Sequence, residues 1–152
     1  MREILFRGKR VDNGEWVEGY YFKAKLHWHR FGVHEDWIAT KVLQNGGWCN
    51  VINRHAVIPE TVGQYTGITD KNGKKVYEGD IVKAGLRKYL ICYGLHEIPC
   101  CGCYYSFHSS IGFYLKNIET DKIESDEETF AKEQELKVIG NIFDKESDNE
   151  TK

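Results

Sequence analysis

Residues 59–83 read PETVGQYTGITDKNGKKVYEGDIVK, and this stretch decides the fold. Asn72-Gly73 lies between two runs of strand-forming residues. It predicts a hairpin with a type I′ turn, because both residues tolerate positive φ. Glu78-Gly79-Asp80 then interrupts the second strand, since glycine inside a strand pattern marks a bulge or bend. A bent hairpin of this kind suits a small, strongly curled β-barrel.

The composition predicts a β-rich chain with a real core. Hydrophobic residues make up 41% of the 152, and there are 15 Gly, nine Tyr, seven Phe and four Trp. These residue types favour strands joined by many turns. The formal charge of −2 gives no overall attraction to nucleic acid or to an anionic membrane. No membrane-spanning run or signal peptide is recognised, so we expect a cytoplasmic protein with its five cysteines reduced.

The flanking segments extend the β pattern. Residues 1–23 predict a first hairpin around Asp12-Asn13-Gly14, and its residue order matches that of the 65–83 hairpin. A duplicated unit and convergent hairpin chemistry both explain the match, since two copies fall short of a repeat architecture. Further strands are predicted at 26–29, 36–42, 48–52, 89–93, 111–115 and 136–143.

The remaining segments are predicted to be irregular or helical. Residues 94–108, rich in Cys, Gly and His, predict an irregular segment, and an exposed loop is expected around 31–34. Ser125 and Glu128 form a capping-box pattern that predicts a short helix near 126–134. Residues 144–152 have nothing to bury and predict a mobile tail.

Three segments resemble the YopX family of phage and prophage proteins: residues 6–17, 59–82 and 138–143. The resemblance implies a mainly β protein, with a β-rich N-terminal region over 1–58 and a small SH3-like β-barrel domain over 59–143. A disordered tail would follow at 144–152. It also implies a homo-oligomer in a bacterial or phage context, and it implies no reaction.

Two expectations follow for the barrel itself. Asp80 is expected to accept hydrogen bonds from nearby backbone amides at the bend, as aspartate commonly does in turns. The apolar residues of the bent hairpin and of the final strand should form the core. These are Ile68, Val76, Ile81, Val82, Val138 and Ile142.

Two clusters carry residue types that bind metals. Cys101, Cys103, His96 and His108, with Cys100 beside them, contain the ligands that zinc prefers. Their spacing departs from the paired motifs of structural zinc sites, so thiols packed as small apolar groups are the alternative. His27 and His29 would share a strand face near His34, Glu35 and Asp36, where the alternative is a solvated polar face.

Two other chemistries remain as alternatives. A cysteine between Cys92 and Cys103 could pair with His96 or His108 as a nucleophile, although nothing in the sequence indicates an activated thiol. Nucleic-acid binding would use basic residues at the N-terminus and at the hairpin tip, with ordinary solvated charge as the alternative. These residues are Arg2, Arg7, Lys9, Arg10, Lys71, Lys74 and Lys75.

The favoured interpretation is a non-enzymatic, self-associating protein-interaction module in a bacterial host cell. No acid–base or nucleophile set converges, and the aromatics Trp28, Phe31, Trp37 and Trp48 exceed what one small core needs. A host or phage protein is a further expected partner, and no cofactor or membrane association is expected. The alternative is a nucleic-acid-binding protein of phage origin.

Overall fold

The computed structural model describes residues 3–25, 34–44, 50–99, 107–124 and 136–144, and their regular structure is strand apart from one 3-10 helix. That helix, η1, spans Pro59–Thr61. The strands, in chain order, are β1 (Phe6–Lys9), β2 (Trp16–Lys25), β3 (His34–Gln44), β4 (Asn50–Ala56), β5 (Gly63–Thr69), β6 (Lys75–Tyr77), β7 (Asp80–Ala84), β8 (Arg87–Pro99), β9 (Phe107–Asn117), β10 (Ile123–Glu124) and β11 (Lys137–Asn141).

The mainly β fold class is confirmed. The strands form two antiparallel sheets, ordered β4-β3-β2-β1-β5-β6 and β10-β9-β8-β7-β11. The closed barrel expected from the family resemblance is not found among the described strands. The chain divides into two compact units, Met1–Gly67 and Ile68–Lys152, and the division falls inside β5. The domain boundary expected between residues 58 and 59 stays a prediction.

The first unit is built on the predicted N-terminal hairpin, β1 with β2. Arg10 N donates to Glu15 O at 2.9 Å, and Gly14 closes the loop with a φ of +71°. On β2, Gly19 lies so close to β3 that a Cβ would stand 2.1 Å from the backbone oxygen of Ala39. Only glycine fits there. The buried apolar residues of this unit include Leu5, Ile38 and Val57.

The 70–74 turn has the predicted position but a different type. Asn72 does not adopt positive φ; among the described residues Asp121 is the one non-glycine that does. Asp70 N donates to Lys74 O at 2.7 Å, leaving three loop residues that end at Gly73 with a φ of +78°. The Asp70 carboxylate accepts from Asn72 N and Lys74 N at 2.8 and 2.9 Å. This side chain holds a turn in which Gly73 alone has positive φ, so type I′ was wrong.

The predicted bend between β6 and β7 is confirmed. Gly79 has a φ of +82°, and the fully buried Asp80 accepts from Tyr77 N at 2.9 Å, as expected from the sequence. Asn141 Nδ2 donates to the other carboxylate oxygen of Asp80 at 3.1 Å. The bend is therefore fastened to β11 as well as to its own hairpin.

The last strand joins the second sheet beside β7, the part of the bent hairpin that follows Gly79. β11 pairs antiparallel with β7 from Lys137 opposite Lys83 to Asn141 opposite Asp80, with a register shift between Val138 and Gly140. Two hydrogen bonds, one to a side chain and one between backbone atoms, also connect the start of β11 to the 70–74 turn. Val138 N donates to Asp70 Oδ2 at 3.1 Å, and Lys71 N donates to Leu136 O at 3.0 Å.

The core of the second unit contains three of the six residues expected from the sequence. Val76 and Val82 are fully buried, and Val138 is buried beside them. Ile68 packs against this cluster while partly exposed. Ile81 was wrong, since it lies on the strand face opposite Val82 and is partly exposed. Ile142 was wrong, since it follows the end of β11 and is 49% exposed. The cluster also contains residues from three further segments: Tyr89, Ile91, Leu115 and Leu136.

The two hairpins that share a residue order differ in backbone detail. Gly67 and Gly79 have positive φ, whereas Gly8 and Gly19, which match them in sequence, do not. Gly8 and Gly19 instead lie where neighbouring chain approaches closely. The matched glycines therefore serve different physical needs. This difference favours convergent hairpin chemistry over duplication.

We expect Asp70→Ala to lower the free energy of unfolding by about 2–4 kcal/mol, because three backbone donors lose a buried acceptor. The measurement is urea unfolding at pH 7. Asp12→Ala, at the matching position of the first hairpin, is the control, because Asp12 is exposed and bonds Arg10. A similar loss in both variants would contradict the role assigned to Asp70.

The same carboxylate predicts a pH dependence. Burial tends to raise the pKa of Asp70, but the backbone amides of Lys74, Val138 and Asn72 together hold it below its ordinary value. A lowered pKa in the folded state stabilises the fold above the unfolded pKa of about 4 and loses that effect as pH falls. The stability difference between wild type and Asp70→Ala should therefore shrink below about pH 4. A constant difference would argue against the lowered pKa.

Truncation to alanine should destabilise the fold more at a buried core position, Val82, than at the exposed Ile142. Val82→Ala is expected to lower the free energy of unfolding by about 2–4 kcal/mol through lost burial and a residual cavity. Ile142→Ala should cost clearly less, because half of that side chain is already in solvent. Equal losses in denaturant unfolding would show that Ile142 belongs to the core after all.

Candidate functional site

The predicted zinc cluster falls largely outside the described residues. Cys100, Cys101 and Cys103 lie there, and the side chain of His108 on β9 is not described. His96 is buried on β8, with Nδ1 3.2 Å from Gly94 O and its ring centre 4.7 Å from that of Tyr114. Within the described residues, no group of three His, Cys, Asp or Glu could hold a metal ion. Zinc binding at 96–108 stays a prediction.

The second predicted metal cluster is only partly described. His27, His29 and the side chain of His34 lie outside the described residues. Asp36 is buried on β3, where it accepts from the Tyr21 hydroxyl and lies 3.6 Å from Lys23 Nζ. Burial and this carboxylate raise the pKa of Tyr21 to about 12. Asp36 thus has polar partners on the neighbouring strand β2.

Cys92 lacks the electrostatic environment of a catalytic thiol. It is half-buried on β8, and burial raises the pKa of its thiol, although Tyr114 and Lys116 act in the other direction. Burial followed by the neighbouring Cys92 likewise raises the pKa of Tyr114. A nucleophilic cysteine requires a lowered thiol pKa. The environment of Cys92 therefore favours a packed, unreactive thiol.

The N-terminal basic residues contact other side chains. The guanidinium of the buried Arg7 lies 4.4 Å from the centre of the Trp16 ring, and Lys9 Nζ lies 5.2 Å from it on the same strand face. Arg10 forms two hydrogen bonds with Asp12 and lies 3.9 Å from Glu15. These cations are placed to stabilise the first hairpin, which weakens their case as a nucleic-acid interface.

Strands β8 and β9 form a hairpin that extends beyond its neighbours. They pair from Tyr89 opposite Asn117 to Pro99 opposite Phe107. On one side β7 pairs with β8 only as far as Leu90, and on the other β10 reaches only Leu115 and Lys116. Residues 93–99 and 107–113, here called the arm, therefore have no neighbouring strand among the described residues.

The part of one face of the arm nearest the core is apolar and open to solvent, as far as the exposed polar pair Glu97 and Ser109. Ile91 and Leu115 face each other in the core, and the next two pairs along the same face are Tyr93 with Phe113 and Leu95 with Ile111. Tyr93, Leu95 and Ile111 are 50%, 70% and 72% exposed, and Phe113 packs partly on the core. These four residues are the arm face. Their apolar stripe continues the core outward into water.

The opposite face of the arm contains a pair of facing glycines. Gly94 and Gly112 face each other, and a Cβ on either would meet nothing within 4 Å. Gly94 has a φ of +153°, a backbone conformation that other residues rarely adopt. His96 and Tyr114 lie on either side of this glycine pair, and their ring centres are 4.7 Å apart. The described strands alone therefore leave the arm as a two-stranded ribbon, a form that is only marginally stable by itself in water.

A family model described as YopX protein matches residues 5–147. The chain belongs to the YopX family. The match covers the three segments that carried the resemblance and also the intervening chain, including the arm. No curated protein matches the chain. None of the described residues belongs to a helix long and apolar enough to span a lipid bilayer.

The arm of this YopX-family chain was missed by sequence reasoning, which predicted irregular structure over 94–108. The described parts of that range, 94–99 and 107–108, are strand. Glycine at residues 94 and 112 and proline at 99 lower strand propensity, and the cross-strand pairing that outweighs them is not visible in one segment. The signal that could have predicted these strands was the spacing of apolar residues two positions apart, Tyr93 with Leu95 and Ile111 with Phe113.

The thiol of Cys92 should alkylate slowly. Peptide mapping by mass spectrometry after iodoacetamide treatment at neutral pH is expected to show slower modification of Cys92 than in an unfolded peptide of the same sequence, because burial disfavours the thiolate. Unfolding the protein in urea should restore the peptide's rate. Faster reaction in the folded protein would revive the nucleophile hypothesis.

Proposed function

We propose that this YopX-family protein is a non-enzymatic interaction module that self-associates in the cytoplasm of a bacterial host of its phage or prophage. The observation that supports it is the arm face, where Tyr93, Leu95 and Ile111 are at least half exposed. Exposed contiguous apolar surface on a soluble protein usually marks an interaction site. The groups described around Cys92 and His96 lack the features of a nucleophilic pair.

The partner that the arm face fits best is a second copy of the arm. The four residues carry no charge, so a strongly charged partner would gain nothing from them. A two-fold dimer brings the same patch of each copy together, and these four uncharged residues would meet their own copies without like-charge repulsion. Among the described residues, no third strand pairs with either edge of the arm, and an unpaired strand edge can pair with another chain.

The area of the arm face suits a dimer of modest affinity. Its exposed side chains present roughly 400 Å² per copy, so two arm faces would bury roughly 800 Å² between them. Stable specific interfaces bury about 1,200 Å² or more, and smaller ones are weak or transient. Buried area does not convert directly to affinity, so we expect a weak dimer with a dissociation constant of about 1 μM or above.

An SH3-like arrangement of the second unit is part of the same proposal. The sharp bend at Gly79 and the pairing of β11 with β7 are features that a small, strongly curled β domain requires. Such domains commonly serve as scaffolds whose function lies in surface sites. The arm would be such a site.

Self-association predicts a specific mutational result. Leu95→Arg should convert a concentration-dependent dimer to a monomer in light scattering and sedimentation, because it places a charge in the arm face. Leu86→Arg is the matched control, since Leu86 is 93% exposed in the turn between β7 and β8, away from the arm. It should leave the dimer intact.

Two results would reject the proposal: a wild-type protein that stays monomeric well above micromolar concentration, or equal effects of the two arginine substitutions. Thermal melting of each variant, monitored by circular dichroism, separates loss of association from loss of folding. Leu95→Arg is expected to melt close to the wild-type monomer.

A further inference from the structure

Three lysines on three neighbouring strands of the second sheet stand directly side by side. Lys137 on β11 pairs with Lys83 on β7, and Lys83 pairs in turn with Lys88 on β8. Directly opposed residues of antiparallel strands project from the same face of a sheet. All three side chains are exposed. We call them the lysine row.

The lysine row lies on the outer face of the sheet. The adjacent row of opposed residues is Val138, Val82 and Tyr89, which are buried in the core on the other face. Within the described residues, no carboxylate lies at ion-pair distance from any member of the lysine row. Lys116 on β9 pairs with Leu90 on β8 and lies on the same outer face as the lysine row. Its ammonium, however, forms an ion pair with Asp121 at 2.7 Å.

A further lysine lies at one end of the row. Lys71 N is bonded to the backbone oxygen of Leu136, the residue before Lys137, and the side chain of Lys71 is exposed. Like charges placed directly opposite each other on a sheet are destabilising. The arrangement thus lowers the stability of the sheet and concentrates positive charge on a protein of net charge −2. A bound polyanion would offset that repulsion.

We propose that the lysine row binds the phosphate backbone of a nucleic acid. Neighbouring strands are about 4.8 Å apart, so the row presents three charges in single file over about 10 Å. A nucleic-acid backbone carries one charge on every residue, whereas an extended acidic peptide directs successive side chains to opposite faces. A line of equal charges therefore matches the phosphate backbone better.

This site is independent of the proposed self-association. The lysine row and the arm face lie on opposite faces of the sheet, because Tyr93 follows Lys88 by five positions on β8 and side chains alternate between faces. It also differs from the basic set singled out in the sequence, of which only Lys71 lies beside it. Either proposal can fail without the other.

The experiment measures anisotropy of a fluorescein-labelled single-stranded oligonucleotide of roughly 20 nucleotides, longer than the 4–16 that small β modules cover. Wild-type protein is titrated at several salt concentrations. A combined Lys83→Gln, Lys88→Gln and Lys137→Gln variant should bind roughly tenfold to a hundredfold more weakly at low salt. Its slope of log K against log salt should be shallower by about 2, since each contact contributes about 0.7.

A matched variant carries the same change of charge elsewhere: Lys23→Gln, Lys74→Gln and Lys122→Gln, all at exposed lysines outside the row. It should keep most of the wild-type affinity and slope. The melting temperature of the row variant should equal or exceed that of wild type at low salt, because like-charge repulsion is removed. Loss of binding then cannot result from unfolding.

Three results would overturn the inference. The first is wild-type protein with no salt-dependent binding to the oligonucleotide. The second is a matched variant that loses as much affinity as the row variant. The third is wild-type protein that binds polyglutamate but not the oligonucleotide, which would assign the row to an acidic protein.

Discussion

The second unit depends on one buried carboxylate. Asp70 accepts backbone hydrogen bonds from its own turn and from Val138, 68 residues further along the chain. Closing a loop of that length costs about 4 kcal/mol in chain entropy. Hydrogen bonds to a charged group contribute about 1.5–3 kcal/mol each, so the bond to Val138 alone does not offset the closure. Burial of Leu136 and Val138, at about 1.5–3 kcal/mol each, supplies the rest.

A second carboxylate repeats this arrangement at the other end of β11. Asp80 is wholly buried, and it joins the backbone of Tyr77 to the side-chain amide of Asn141. A buried carboxylate is tolerated only where hydrogen bonds replace its water. The bend at Gly79 and the last strand therefore stabilise each other, because the Asp80 carboxylate needs hydrogen-bond donors from both.

The sequence predicted features that short-range chemistry decides. The turn at 70–74, the bend at Gly79, the acceptor role of Asp80 and the strand at 136–143 were all located. The turn type was wrong because Asn72-Gly73 was considered without Asp70, whose side chain selects the conformation. The length of β8 and β9 was missed because pairing between distant segments outweighs the poor strand propensity of Gly94. Ile142 was placed inside because an apolar run does not show where its strand ends.

The candidate surfaces were harder to predict, because both arise from register. Lys83, Lys88 and Lys137 are unremarkable in sequence, and only the pairing of three strands brings them into line. The arm face likewise arises because β8 and β9 extend beyond the residues that pair with β7 and β10. Two of the basic residues that the sequence did single out already contact other side chains: Arg7 lies over the Trp16 ring, and Arg10 bonds Asp12.

The distance along the chain between β7 and β11 has a consequence for biosynthesis. The ribosome makes residues 80–84 long before residues 137–141, so β7 emerges while one of its two partner strands does not yet exist. The hairpin of β8 and β9 can form early because its contacts are local. During translation, the edge of β7 and the apolar side chain of Val82 are therefore exposed to other nascent chains until the last strand has been made.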